Sequence, residues 1–208
     1  MAERLRAFSD GSIRVARRLL GQRLVAVHAG ERVAGLIVEV EAYLGARDRA
    51  AHTYGEGGGH RTARNAAMFL EGGHAYVYFT YGMHHCFNVV CGKVDEGIAV
   101  LIRALEPTEG VETMFRRRAK ARRDRDLCSG PAKLTQALGI DLRHNGIDLR
   151  NGRSLWIERV RARVLPASRI VSTPRVGVDY AGEWARKPYR FFVRDSQYVS
   201  RGPKAATR

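Results

Sequence analysis

The sequence predicts an α+β domain, a mostly antiparallel sheet with helices flanking it, and three observations carry that expectation. Strand-like runs cluster and are joined by turn signals, whereas a doubly wound parallel sheet alternates strand with helix. The helical patterns are few and short. The chain has 208 residues and no internal repeat, enough for one domain with a sizeable core, or at most two small ones.

In chain order, Ser9 or Asp10 is the expected cap of a first helix in which Ile13, Ala16, Leu19 and Leu20 recur at helical spacing, with Gly21 as its stop. A hairpin follows: Leu24 to His28, a turn through Ala29-Gly30-Glu31, then Val33 to Leu44. Residues 45–65 form a polar loop containing Gly57-Gly58-Gly59, and its length invites a functional reading. Ala75 to Tyr81 and His84 to Cys91 make a second hairpin, and Ile98 to Leu105 a further strand. Pro107 suits the first turn of a basic helix running through Arg123, since its missing N–H costs nothing there. A shorter helix starts after Ser129, with Pro131 near its beginning and Gly139 as its stop. Ser154 to Val164 and Tyr189 to Arg194 read as late strands, and 203–208 as a loose tail.

Apolar residues are 45% and charged residues 27%, which argues against a disordered or fibrous chain. Thirty-six Lys and Arg against 21 Asp and Glu leave a formal charge of +15. A fold this basic repels itself, and a polyanion relieves the repulsion, so nucleic acid leads and an anionic membrane surface comes second. No window reaches the ~20 apolar residues of a membrane span, and the start lacks the apolar stretch of a secretory signal. Cys86, Cys91 and Cys128 have neither CxxC spacing nor an even count, so a reducing compartment is expected.

Four segments carry candidate chemistry. In Leu36 to Leu44, period-two alternation puts Leu36, Val38, Val40, Ala42 and Leu44 on one apolar face and Ile37, Glu39, Glu41 and Tyr43 on the other. Paired carboxylates beside an aromatic suit a general base near a flat substrate; a solvated sheet face is the plainer alternative. In the second hairpin, Tyr76, Tyr78 and Thr80 share a face, the chain reverses near Tyr81-Gly82, and Asn88 on the return strand must find hydrogen bonds if buried. An aromatic at a hairpin tip is either folded back on the surface or a wedge between base pairs. Arg116 to Arg125 is a dense positive run, ordinarily a solvated helix face. Ser129-Gly-Pro-Ala-Lys133 is a helix start that either holds a phosphate or is a plain cap. The histidines, among them His52, His60, His74, His84 and His85, form no HExxH or HxH pattern, so no metal is expected.

With these segments in view, the chain resembles the alkyladenine (3-methyladenine) DNA glycosylase family. The resemblance rests on Val40-Glu-Ala-Tyr-Leu-Gly45 with Ala50-Ala-His52, on Arg64-Asn65 with Met68-Phe69, and on Tyr76-Val-Tyr78 with Tyr81-Gly-Met83 and Asn88. It continues through Leu101 to Pro107, Cys128-Ser-Gly-Pro with Lys133-Leu134, Arg175 to Val178 and Ala181 to Pro188, ending near Gly202. It implies one domain over 1–208 around a curved antiparallel sheet, without metal or cofactor. It implies a monofunctional enzyme of base-excision repair that hydrolyses the N-glycosidic bond of 3-methyladenine, 7-methylguanine or hypoxanthine in double-stranded DNA. The expected setting is a bacterial cytoplasm, in association with the nucleoid and as a monomer.

Carried over by motif, the resemblance makes Glu41 the base that deprotonates water, with Arg103 and the main chain of Val176 helping to hold that water. Tyr43, His52 and Tyr78 sandwich the flipped base, and Asn88 rejects undamaged guanine. Tyr81, supported by Met83, fills the gap in the duplex, and Arg64 and Lys133 contact phosphate. Two segments depart from the vertebrate pattern: the loop at 55–60 carries extra glycines, and His84 and His85 replace aromatics. The competing expectations are a non-catalytic nucleic-acid module whose tyrosines stack single-stranded bases and a metal-dependent phosphodiesterase.

Overall fold

The computed structural model describes residues 3–55, 57 and 59–200. The expected loose tail at 203–208, the end of the resemblance at Gly202, and Glu56 and Gly58 of the glycine-rich loop lie outside the described residues. The strands are β1 (Arg23–His28), β2 (Glu31–Tyr43), β3 (Ala75–Thr80), β4 (His84–Cys91), β5 (Ile98–Glu109), β6 (Leu155–Glu158), β7 (Ile170–Thr173) and β8 (Arg190–Val193). They form one open sheet in the order β3-β4-β5-β2-β1-β6, with β8 paired to β2 and β7. Every pairing is antiparallel. Helices α1 (Ser12–Leu19), α2 (Val111–Arg117), α3 (Asp124–Cys128) and α4 (Pro131–Leu138) complete the expected α+β class.

The helices share one face of the sheet. Val15, Ala16 and Leu19 of α1, Met114, Leu127 and Leu134 form one buried cluster with Val40, Ala42, Val77, Phe87, Val89, Val100 and Ile102. The residues alternating with those strand positions point to the opposite face, and that face holds the candidate site.

β2 corrects the alternation expected for it. Ile37, assigned to the polar face, belongs to the helix-side core with Val40 and Ala42, whereas Leu36 is only half-buried and Val38 lies outside that cluster. The cause is a pair of register shifts against β5, between Ile37 and Glu39 and between Glu39 and Val40. Such an irregularity inserts a residue and reverses the parity beyond it.

Other boundaries moved for local reasons. Gly11, not Ser9 or Asp10, occupies the cap position of α1, and the Asp10 carboxylate pairs with Arg18 instead. Pro107 lies in β5 opposite Gly35, at a register shift that tolerates a residue without an N–H. The helix starts only after Gly110, whose φ of 69° suits glycine, and it stops at Arg117. The strand expected at 154–164 leaves the sheet after Glu158, because the Gln22 side chain captures the N–H of Val160. β7 was not foreseen; four residues carry too little pattern.

The described residues of the 45–65 loop are held against the fold. The loop opens on a 3-10 turn (Gly45–Arg47), and Asp48, Ala50 and Thr53 in it are buried. Asn65 ties the second part of the loop together, donating from Nδ2 to the carbonyls of His52 (2.9 Å) and His60 (2.8 Å).

Candidate active site

A cavity of about 240 Å³ opens on the sheet face away from the helices. Glu41, Tyr43, His52, Tyr78, Tyr81, Asn88, Arg103 and Val176 all line it. Residues expected from five separate segments therefore meet at one place.

Glu39 and Glu41 are both fully buried, so the solvated-face alternative is wrong. Glu41 Oε1 accepts from the Val176 N–H at 2.7 Å and lies 3.3 Å from Arg103 Nη1, while Oε2 accepts from the Tyr43 hydroxyl at 2.9 Å. Glu39 is the hub behind it. Its Oε1 accepts from Arg103 Nε (2.9 Å), Arg190 Nε (2.7 Å) and Ser200 Oγ (2.8 Å), and its Oε2 from the Ser200 N–H (2.6 Å). Arg103 thus bridges two carboxylates, which fixes its guanidinium beside Glu41.

A second buried pair positions Val176. Arg175 donates to both oxygens of Asp48, at 2.6 and 2.8 Å, and to the Ala42 carbonyl at 2.9 Å. Asp48 also accepts the N–H groups of Leu44 and Ala50 at 3.0 Å. The Arg175 guanidinium sits 4.7 Å from the Tyr43 ring centre, so one pair fixes both a wall residue and the donor next in sequence. Burial, then the Glu41 charge, pushes the Tyr43 hydroxyl well above its usual range, so it remains a donor.

Another part of the lining is aromatic. The His52 ring packs edge-on to Tyr78 at 4.6 Å, and its Nδ1 is 2.9 Å from the Tyr76 hydroxyl. Burial, then the Arg64 charge, lowers the His52 pKa from its ordinary value, which favours the neutral ring. Burial raises the Tyr76 and Tyr78 hydroxyls. Asn88 is buried and donates to the Tyr76 carbonyl at 3.2 Å.

Tyr81 stands at the mouth, 87% exposed, with Met83 68% exposed beside it. The folded-back alternative for Tyr81 does not hold. Both Tyr81 (φ 51°) and Gly82 (φ 67°) adopt left-handed backbone, and the Met83 N–H bonds to the Thr80 carbonyl at 3.2 Å. Glycine accepts that conformation freely; a tyrosine does so at a cost.

Met83, Arg64 and Lys133 stand outside the cavity lining. Arg64 lies over the Tyr78 ring at 5.3 Å and donates to the Phe79 carbonyl at 3.0 Å. Lys133 Nζ is 3.4 Å from Ser129 Oγ in a neighbouring cavity, shared with Arg123 and Arg125, which meets the first at Arg103 and Pro131. The basic run is not a single helix face: Arg116 and Arg117 pair with Glu31, whereas Arg123 and Arg125 line that second cavity. Among the described residues no three of His, Cys, Asp and Glu are grouped to hold a metal ion.

The sequence reading missed Glu39 as a hub, the Asp48–Arg175 pair, and Tyr76 as the partner of His52. Arg175 and Tyr76 stood in quoted motifs without a role. Asp48, in a polar loop, offered no signal.

A buried carboxylate facing an aromatic cavity with an exposed tyrosine at its mouth fits an enzyme that handles a flat ligand. The family model described as methylpurine-DNA glycosylase (MPG) matches residues 6–197. The human protein named "DNA-3-methyladenine glycosylase" is 45% identical over 205 residues, covering 94% of this chain and 67% of the human one. The Francisella tularensis subsp. tularensis (strain FSC 198) protein named "Putative 3-methyladenine DNA glycosylase" is 46% identical, covering 91% of this chain and 94% of its own. A Bacillus cereus (strain ATCC 10987 / NRS 248) protein of that same name is 44% identical, with coverage of 94% and 97%. The chain belongs to the methylpurine-DNA glycosylase family.

Proposed function

We propose that this protein is a monofunctional DNA glycosylase that excises damaged purines (3-methyladenine, 7-methylguanine and hypoxanthine) from double-stranded DNA. The observation that carries the reading is the Glu41 carboxyl, buried at the wall of an aromatic cavity and held by the Val176 N–H and Tyr43 hydroxyl beside Arg103.

The base must leave the stack before any side chain reaches its glycosidic bond, at a cost of a few kcal/mol. Tyr81, already projecting, occupies the vacated space with Met83 beside it, while Arg64 and Lys133 hold phosphates. The extruded purine lies between Tyr43 on one side and His52 with Tyr78 on the other. A purine alkylated at N3 or N7 is cationic, which the faces of tyrosine rings attract. As the C1′–N9 bond lengthens, positive charge grows on the sugar and the Glu41 carboxylate stabilises it. Glu41 takes a proton from water, the water oxygen bonds to C1′, and the base departs with the bonding electrons. An alkylated cation leaves neutral, so it needs little acid assistance. Hypoxanthine starts neutral and needs hydrogen bonds along its edge, for which His52 is the nearest reader. Asn88 excludes guanine through its 2-amino group.

The test is single-turnover base release from a duplex with one lesion. Glu41→Gln keeps the side chain's size and is expected to retain lesion binding while losing at least ~10²-fold in rate. Excision near the wild-type rate by that variant rejects the role given to Glu41. The non-catalytic module has no comparable support, because solvated carboxylates were its premise.

A further inference from the structure

A further concave site lies at the far edge of the sheet from the aromatic hairpin. It is a cavity of about 240 Å³ formed by the 3–7 segment, Arg18 of α1, Gln22 and the 159–164 segment. Among the described residues, six arginines line it (Arg4, Arg6, Arg18, Arg159, Arg161 and Arg163), with Glu3 as the one acidic lining residue. Arg159 pairs with Glu3 at 3.0 Å, Arg18 with Asp10, and Arg4 stacks 5.1 Å from the Trp156 ring centre. Among the described residues, no carboxylate lies within ion-pair distance of Arg6, Arg161 or Arg163, and all three are exposed.

Both arginine-bearing segments are fastened to the fold. Leu5 donates its N–H to the Ile157 carbonyl at 2.9 Å and Arg159 its own to the Glu3 carbonyl at 2.6 Å, so residues 3–5 run along β6. Gln22, itself buried, accepts from the N–H groups of Val160 (2.8 Å) and Arg161 (3.3 Å) and donates to the Arg161 carbonyl (3.2 Å). A buried side chain thus sets the arm that carries Arg161 and Arg163. Held guanidinium groups lose less freedom on meeting an anion than groups on a loose tail.

Leu5 and Phe8 enter the helix-side core, so this cleft opens on the side of α1, whereas the aromatic cavity opens on the other face. β3 and β6 are also the two ends of the sheet order, about 24 Å apart at the usual inter-strand spacing.

We propose that the Arg6–Arg161–Arg163 cleft is a second phosphodiester-binding site, which holds the backbone of another DNA segment while the aromatic cavity holds the first. The choice of DNA as the polyanion rests on the glycosylase reading; the existence of an anion site does not. Its consequence is transfer between neighbouring DNA segments without full release into solution.

The experiment saturates an immobilised 12-base-pair lesion duplex with the full chain, washes, and then measures capture of a labelled undamaged duplex. Wild-type protein is expected to capture up to one labelled duplex per chain. R6E/R161E/R163E is expected to capture at least ten-fold less, while releasing base from the lesion duplex at the wild-type single-turnover rate, which also shows that it folds. Absence of capture by the wild type, or capture that survives in the triple variant, overturns the proposal. So does wild-type capture of vesicles containing anionic phospholipid, or of labelled single-stranded RNA, in place of duplex. Because capture is read as binding, a failure of the glycosylase reading shows separately, as absent base release.

Discussion

The middle of β2 and the tip of the β3–β4 hairpin both face the candidate cavity, and they are built in opposite ways. In β2 all four carboxylate oxygens of Glu39 and Glu41 accept from fixed donors, and neither side chain meets solvent. At the hairpin tip Tyr81 projects into water from a backbone conformation that a tyrosine seldom takes. A group that acts on a reacting bond has to be held before the ligand arrives. A wedge that fills a gap in a duplex has to be left without partners until then. The first region is tied into the fold by buried hydrogen bonds and ion pairs, whereas the second leaves its tip side chain in solvent.

The largest effect that tests this contrast belongs to the buried pair behind β2. Asp48→Ala leaves the Arg175 guanidinium buried without its carboxylate and is expected to cost about 3–5 kcal/mol in denaturant unfolding. A loss below about 1 kcal/mol, the scale of a surface pair, erases the contrast. Glu41→Gln follows, with the loss of at least ~10²-fold in base release already given. Tyr81→Asn comes third. Asparagine tolerates left-handed backbone, so melting is expected to stay within a degree or so of wild type or rise slightly. Lesion-duplex affinity should fall about ten-fold, within the ~1–3 kcal/mol of a lost aromatic stack. A clear drop in melting temperature would mean that the tip is structural after all.

The smallest effect is one of pH. Burial depresses the His52 pKa in the folded state. Its contribution to stability is therefore complete above the unfolded value of about 6.5 and is lost as pH falls from there through the folded value. Wild-type protein should lose more unfolding free energy than His52→Gln on going from about pH 7 to about pH 5. His144, also depressed by burial, contributes the same sign in both proteins and cancels from the comparison. Equal slopes remove His52 from the cavity wall.

The hairpins were legible in the sequence because strand alternation and turn residues are local. Tyr76 and Tyr78 share the cavity face while Val77 enters the core, as period two requires, and Tyr81-Gly82 forms the reversal. β2 was legible only up to its irregularity. Glu39, Glu41 and Tyr43 do share a face, but Ile37 crosses to the core, because the register shifts depend on β5 and not on residues 36–44. The helix after β5 was placed too early for a related reason. Pro107 is compatible with a helix start, and only its pairing opposite Gly35 keeps it in the strand.

The sequence by itself determined the α+β class, both hairpins and the face on which Tyr76 and Tyr78 lie, since these follow from neighbours two to four positions apart. The tertiary structure alone decided that the carboxylates are buried and what holds them. Asp48 meets Arg175 across 127 positions and Glu39 meets Ser200 across 161. Such contacts form only where packing excludes water and each buried charge must take its partners from within the fold, and no spacing along the chain records that.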